Sequence, residues 1–111
     1  MSKYVSRTEE NYYLKKYDMQ LINHVAHYRG WFRFRHCNAY TSDYYGNKNV
    51  HYTLIRSYNT VVALYDHNTN ECIIWGKYST TTSKQITMIC NEYFPTCRKV
   101  QLEMTNVKLW F

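Results

Sequence analysis

Glycine occurs three times and proline once in 111 residues, too seldom for a disordered tail or a long flexible linker. No apolar run approaches the roughly 20 residues that a bilayer-crossing helix needs. Met1-Ser2-Lys3-Tyr4 begins no apolar segment with a small-residue cleavage site, so the expected compartment is the cytoplasm. The four cysteines, Cys37, Cys72, Cys90 and Cys97, form no CxxC pair. In a reducing cytosol their expected state is the free thiol. A glycine-rich phosphate loop, a GxSxG elbow and an HExxH pair are all missing. The eight acidic residues are scattered, which leaves no visible two-carboxylate acid/base site. His24 and His27 stand three apart in a helical stretch, and alone they leave a metal site two ligands short. These absences predict a protein without cofactor that catalyses nothing.

The chain is instead rich in aromatic residues and positive charge. Aromatic residues make up 18% of it, with 13 tyrosines, and the formal net charge is +6. Tyrosine joins an apolar body to a polar tip and suits half-buried positions and contact surfaces. So many cannot all enter the core of one small domain. A basic surface attracts polyanions or acidic proteins.

The periodicity predicts a single α+β domain spanning 1–111. Ser6-Arg7-Thr8-Glu9 fits a capping box. Leu14, Tyr17, Leu21, Val25 and Tyr28 then follow helical spacing, and Gly30 fits a left-handed cap. Residues 1–30 are therefore expected to hold an N-terminal helix, and 31–111 a sheet with a second helix. Trp31 to His36 alternates as a strand, with Trp31, Arg33 and Arg35 on one face. Cys37 to Asn49 is polar and reads as a loop carrying Tyr40, Tyr44 and Tyr45. Val50 to Arg56, Thr60 to Tyr65 and Glu71 to Trp75 read as strands. Thr60 to Tyr65 is apolar on both faces. Thr82-Ser83-Lys84-Gln85 forms a second capping box, opening a helix over 83–94 that Pro95 ends. Beyond Arg98, Val100, Leu102 and Met104 alternate in a last strand. The expected architecture is a small antiparallel sheet with both helices packed on one face.

Ser57-Tyr58-Asn59-Thr60, Val62-Ala63-Leu64-Tyr65-Asp66 and Lys77-Tyr78-Ser79-Thr80-Thr81-Thr82-Ser83-Lys84-Gln85 carry a resemblance. The pattern resembles a widespread group of small uncharacterised bacteriophage proteins. In that group an SYNT turn precedes an apolar strand, and a YSxTTSKH-like segment opens a helix. Gln85 stands where the group usually has histidine. The resemblance covers about residues 55 to 95 and implies a phage or mobile-element origin, hence the cytoplasm of an infected bacterium.

Two places are candidate sites. Trp31, Arg33 and Arg35, extended by Tyr44, Tyr45 and Arg56, pair aromatic rings with guanidiniums. That combination suits stacking on bases beside phosphates, and suits a protein interface equally. The same rings would also fit a homodimer or a sheet face covered by the first helix. At Thr81, Thr82, Ser83 and Lys84, hydroxyls, helix-start amides and a lysine could receive an anion. Thr82 could equally do no more than cap the helix, with Tyr58 and Asn59 packed against it. The function expected is non-catalytic binding by a phage accessory protein that inhibits a nucleic-acid-handling host protein, in the manner of an anti-CRISPR protein. The alternative is direct binding of DNA or RNA through Arg33, Arg35, Arg56 and Lys84.

Overall fold

The computed structural model describes residues 7–17, 30–46 and 48–102. Helix α1 (Arg7–Lys16) is followed by β1 (Phe32–Arg33), β2 (Ala39–Tyr45), β3 (His51–Ser57), β4 (Thr60–Asp66) and β5 (Glu71–Ile74). Helix α2 (Thr80–Tyr93) then leads to β6 (Arg98–Gln101). The strands lie in one sheet in sequence order. Each neighbouring pair is antiparallel except β5 and β6, which run parallel. A parallel neighbour cannot be reached by a tight hairpin, and α2 supplies the crossover. The α+β class is as expected, with one parallel pair in a sheet expected to be antiparallel throughout. No helix of the described residues is long and apolar enough to cross a membrane.

Register sorts the core into two layers. Leu54 opposes Leu64, Leu64 opposes Ile73, and Ile73 opposes Val100. This row packs with Tyr13, Tyr17, Trp75 and Leu102. On the other face Ile55 opposes Ala63 and Ala63 opposes Ile74. These pack with Ile86, Ile89 and Cys90 of α2. The helices therefore cover opposite faces, not one face as expected. The reason lies in β4, whose residues Val61 to Asp66 are all buried. A strand buried on both sides requires a cover on both sides. A bulge shifts the register between Ile55 and Arg56 and sends both Val62 and Ala63 toward α2.

Tyrosines of the α1 side fix their polar tips to the sheet. Tyr17 donates its hydroxyl to Asp66 Oδ2 at 2.9 Å, and Tyr13 donates to Glu71 Oε2 at 3.1 Å. Asp66 is itself buried and also accepts from the Asn68 amide at 2.9 Å. Burial, and then Asp66, hold the Tyr17 phenol far above its ordinary range.

Other expectations change. Ala39 to Tyr45 is a seven-residue strand, not a loop, paired along its length with β3. Its sequence AYTSDYY is polar, yet threonine and tyrosine suit a half-buried pleated surface. The strand expected over Trp31 to His36 is only two residues long. The Phe34 amide turns to the Ala39 carbonyl at 2.8 Å, and Arg35 takes a left-handed φ of 52°. Gly30 is expected to cap a helix whose last turn lies outside the described residues; the Gly30 carbonyl accepts from Ser42 Oγ at 2.7 Å. Helix α2 is capped by Ser79, whose side chain accepts from the Thr82 amide at 3.2 Å, one turn before the expected cap Thr82. Ser6, His24, His27, the helical spacing from Leu21 to Tyr28, and Met104 lie outside the described residues.

Candidate functional surfaces

Cross-strand pairing sets Tyr40 opposite Arg56, so the guanidinium falls over the tyrosine ring at 4.3 Å. Trp31 is a second ring at the guanidinium, 4.7 Å from Arg56 to the ring centroid. Burial draws the Arg56 guanidinium below its ordinary range, and Tyr40 opposes that shift. Arg33 donates Nε to the Cys37 carbonyl at 2.9 Å and holds the β1–β2 turn. Arg35 leaves this group altogether. The turn directs it to α2, where it meets Glu92 at 3.0 Å and lies over Phe34. The trio Trp31, Arg33 and Arg35 does not share a face, because the strand expected to hold it ends at Arg33.

Strand alternation also divides the tyrosines of β2. Tyr40 and Tyr44 lie on the α1 side, where Tyr44 stacks on Tyr52 at 5.9 Å. Tyr45 lies on the α2 side, stacked on His51 at 4.2 Å and 66% exposed. Tyr44 and Tyr45 therefore belong to different surfaces.

Exposed apolar side chains that the sequence did not single out lie on the α2 side of the sheet, the side to which Arg35 turns. Phe32 is 74% exposed, Tyr93 51% and Met88 38%. Phe34 is buried, edge-on to Tyr93 at 5.6 Å. Arg35, Met88, Asn91 and Glu92 line a shallow open depression on the same side.

The hydroxyl-rich helix start faces two ways. Thr82 is buried, with Oγ1 3.1 Å from Ser57 Oγ. Ser57 also donates to Gln85 Oε1 at 2.8 Å. Thr81, Ser83 and Lys84 remain exposed. The contact expected from Tyr58 and Asn59 is made by Ser57, while Tyr58 turns outward with a left-handed φ of 55°.

A third constellation gathers at the far end of β2 and β3. Asp43 lies opposite Thr53, Tyr45 lies opposite His51, and the His67 amide donates to the His51 carbonyl at 3.1 Å. This register brings one ligand atom each from Asp43, His51 and His67 within 4.8 Å of one another. His51 Nε2 is 3.3 Å from Asp43 Oδ1. Thr53 donates its hydroxyl to the same oxygen at 2.7 Å. Its only proton being spent, Thr53 Oγ1 accepts from His67 Nε2, also at 2.7 Å. The two imidazoles stack at 3.6 Å and 6°. Burial, then the neighbouring His51, lower the His67 pKa, so this ring favours the neutral form. Reading β2 as a loop hid the site. With β2 as a strand paired to β3, Asp43 and His51 become diagonal neighbours.

All four cysteines are free thiols. Cys90 and Cys72 are buried under α2, their sulfurs 3.6 Å apart. The hydrogen bond with Cys72 draws Cys90 down to about 7, while burial pushes Cys97 up to about 11.

No curated protein and no solved structure matches the chain. The model of one family, described as a family of unknown function (DUF8033), matches residues 5–103. With nearly the whole chain matched, the protein belongs to the DUF8033 family.

Proposed function

We propose that the protein acts by non-catalytic binding and blocks a host protein that handles nucleic acid, using the apolar surface around Arg35. What carries the reading is the exposure of Phe32, at 74%, on the same side of the sheet as the exposed Tyr93 and Met88 of α2. Large apolar side chains left in the open on the side that also carries an arginine are the composition of binding hot spots. The net charge of +6 favours an acidic face on the partner. The choice of a nucleic-acid-handling host protein, such as a CRISPR nuclease, rests on the resemblance to bacteriophage proteins.

Direct binding of DNA or RNA is the second reading, and the net charge speaks for it. Against it, Arg56 lies over two rings, Arg33 is tied to a carbonyl and Arg35 is paired with Glu92. Only Lys84 of the four cations named for phosphate contact lies outside such pairings. The experiment compares the full chain with a Phe32→Ala, Tyr93→Ala variant in affinity capture from bacterial lysate. The expected result is a stoichiometric protein partner held about 30-fold more weakly by the variant, the loss of about 2 kcal/mol typical of hot spots. A partner held equally by both proteins would overturn the choice of surface. Salt-sensitive gel shifts with DNA or RNA and no protein partner would favour the second reading.

A further inference from the structure

The Asp43, His51 and His67 constellation is not needed for the binding surface around Arg35, and its chemistry points elsewhere. We propose that these three residues form a binding site for a borderline divalent transition-metal ion, of which Zn2+ is the reference case. Two imidazoles and one carboxylate are a donor set suited to such ions, and three protein ligands leave a coordination position open. Ligands about 2.0–2.1 Å from a tetrahedral ion stand about 3.3 Å from one another. Asp43 Oδ1 and His51 Nε2 are already at 3.3 Å, and all three donors lie within 4.8 Å.

The scaffold around the donors is that of a supported site. Asp43 and His51 project from β2 and β3, and His67 follows β4 directly, so adjoining strands fix all three backbones. Thr53 is buried between the donors and hydrogen-bonds to Asp43 Oδ1, which orients the carboxylate. Tyr45 covers one face of His51, while Tyr65 and Phe94 stand edge-on to His67. Outer groups of this kind hold ligands in place for the ion.

Binding requires two defined changes. In the parallel stack the two Nε2 lone-pair directions lie in separate planes, 3.6 Å or less apart. An ion sharing both must splay the rings by rotation about Cβ–Cγ, parting His67 from Thr53. The Nε2 protons given to Asp43 and Thr53 must also leave. Each ring then presents an unprotonated Nε2 to the ion, with its remaining proton on Nδ1. His51 is only partly buried and Asp43 is half exposed, which gives the ion an entry path.

The test titrates the full chain, stripped with chelator, with ZnCl2 by calorimetry and with Co2+ by visible absorption. One equivalent is expected to bind, and Co2+ to give the intense bands of a four-coordinate site. His51→Gln and His67→Gln should each weaken binding beyond the roughly 10- to 100-fold typical of an outer-group change, and Thr53→Val should fall within that range. Circular dichroism checks that each variant is folded. His24→Gln with His27→Gln should leave binding unchanged. Absence of binding by the folded wild type would overturn the proposal. So would binding that survives both His51→Gln and His67→Gln, or that vanishes only with His24 and His27.

Discussion

Ser57 Oγ donates to Gln85 Oε1 across 2.8 Å, tying the end of β3 to the second turn of α2. The same hydroxyl lies 3.1 Å from Thr82 Oγ1, and Thr82 in turn receives a 3.3 Å hydrogen bond from Ser79. One direction satisfies every group: Ser79 to Thr82, Thr82 to Ser57, Ser57 to Gln85. Ser57, Thr82 and Gln85 are all buried. The SYNT turn and the TTSK helix start are thus held together by a chain of hydroxyls.

Removing the terminal acceptor should be costly. Gln85→Leu removes that acceptor, so the buried hydroxyls of Ser57 and Thr82 must reverse their bond or leave one proton unpaired, a loss of up to about 1–3 kcal/mol. Gln85→His offers a ring nitrogen that can accept from Ser57 and should retain most of the stability. Urea unfolding of both variants checks this. Equal midpoints for Gln85→Leu and wild type would show that the chain of hydroxyls contributes nothing.

The position of the helix cap gives a second prediction. Ser79→Ala removes the acceptor for the Thr82 amide and should cost about 0.5–2 kcal/mol. If Thr82 were the cap, as its capping-box spacing suggests, Ser79→Ala would leave the urea midpoint unmoved. Both residues are hydroxylic and three apart, so spacing alone could not choose between them. Burial of Thr82 against Ser57 decides it.

Much of the frame was legible because its signals are local. The β3–β4 and β4–β5 hairpins follow from apolar runs broken by Tyr58-Asn59 and by the Asp66 to Asn70 cluster. The apolar face of α2 follows from Ile86, Ile89 and Cys90. What escaped depends on pairing. Ala39 to Tyr45 looks like a loop until β3 is placed beside it, and Asp43 meets His51 only through that register. Arg35 was given the face of Trp31 because strand alternation was continued through a turn. The two-sided burial of β4 is visible in its apolar sequence, and a helix on each face is what it requires.

The contact of Arg56 with two rings yields a third prediction. Arg56→Lys keeps the charge but loses the planar group that lies over Trp31 and Tyr40. The expected loss is about 0.5–2 kcal/mol, accompanied by a change in tryptophan emission as Trp31 is uncovered. Thermal unfolding and fluorescence measure the two effects. A variant matching wild type in both would show that the charge alone, without stacking, sustains this part of the sheet.

Alkaline pH should unfold the protein through its buried phenols. Burial is the leading cause that raises Tyr13, Tyr17, Tyr52 and Tyr65, and it pushes Tyr78 up to about 12. In the unfolded chain these groups lose their protons near pH 10. Above that pH the folded state therefore binds more protons than the unfolded one. The slope of unfolding free energy against pH is then negative. The contribution is complete below pH 10 and is lost as pH rises through the folded values, so the urea midpoint should hold from pH 7 to 9 and fall beyond 10. Tyr17→Phe removes the most strongly raised phenol that is seen to donate to Asp66, and two effects should part. At pH 7 the variant should be weaker by about 1–3 kcal/mol, since Asp66 keeps the Asn68 amide but loses a buried donor. Above pH 10 its midpoint should fall less steeply than that of wild type, because one fewer phenol resists ionisation. Parallel curves for the two proteins would remove Tyr17 from the account, and a flat wild-type curve to pH 11.5 would remove the tyrosines altogether.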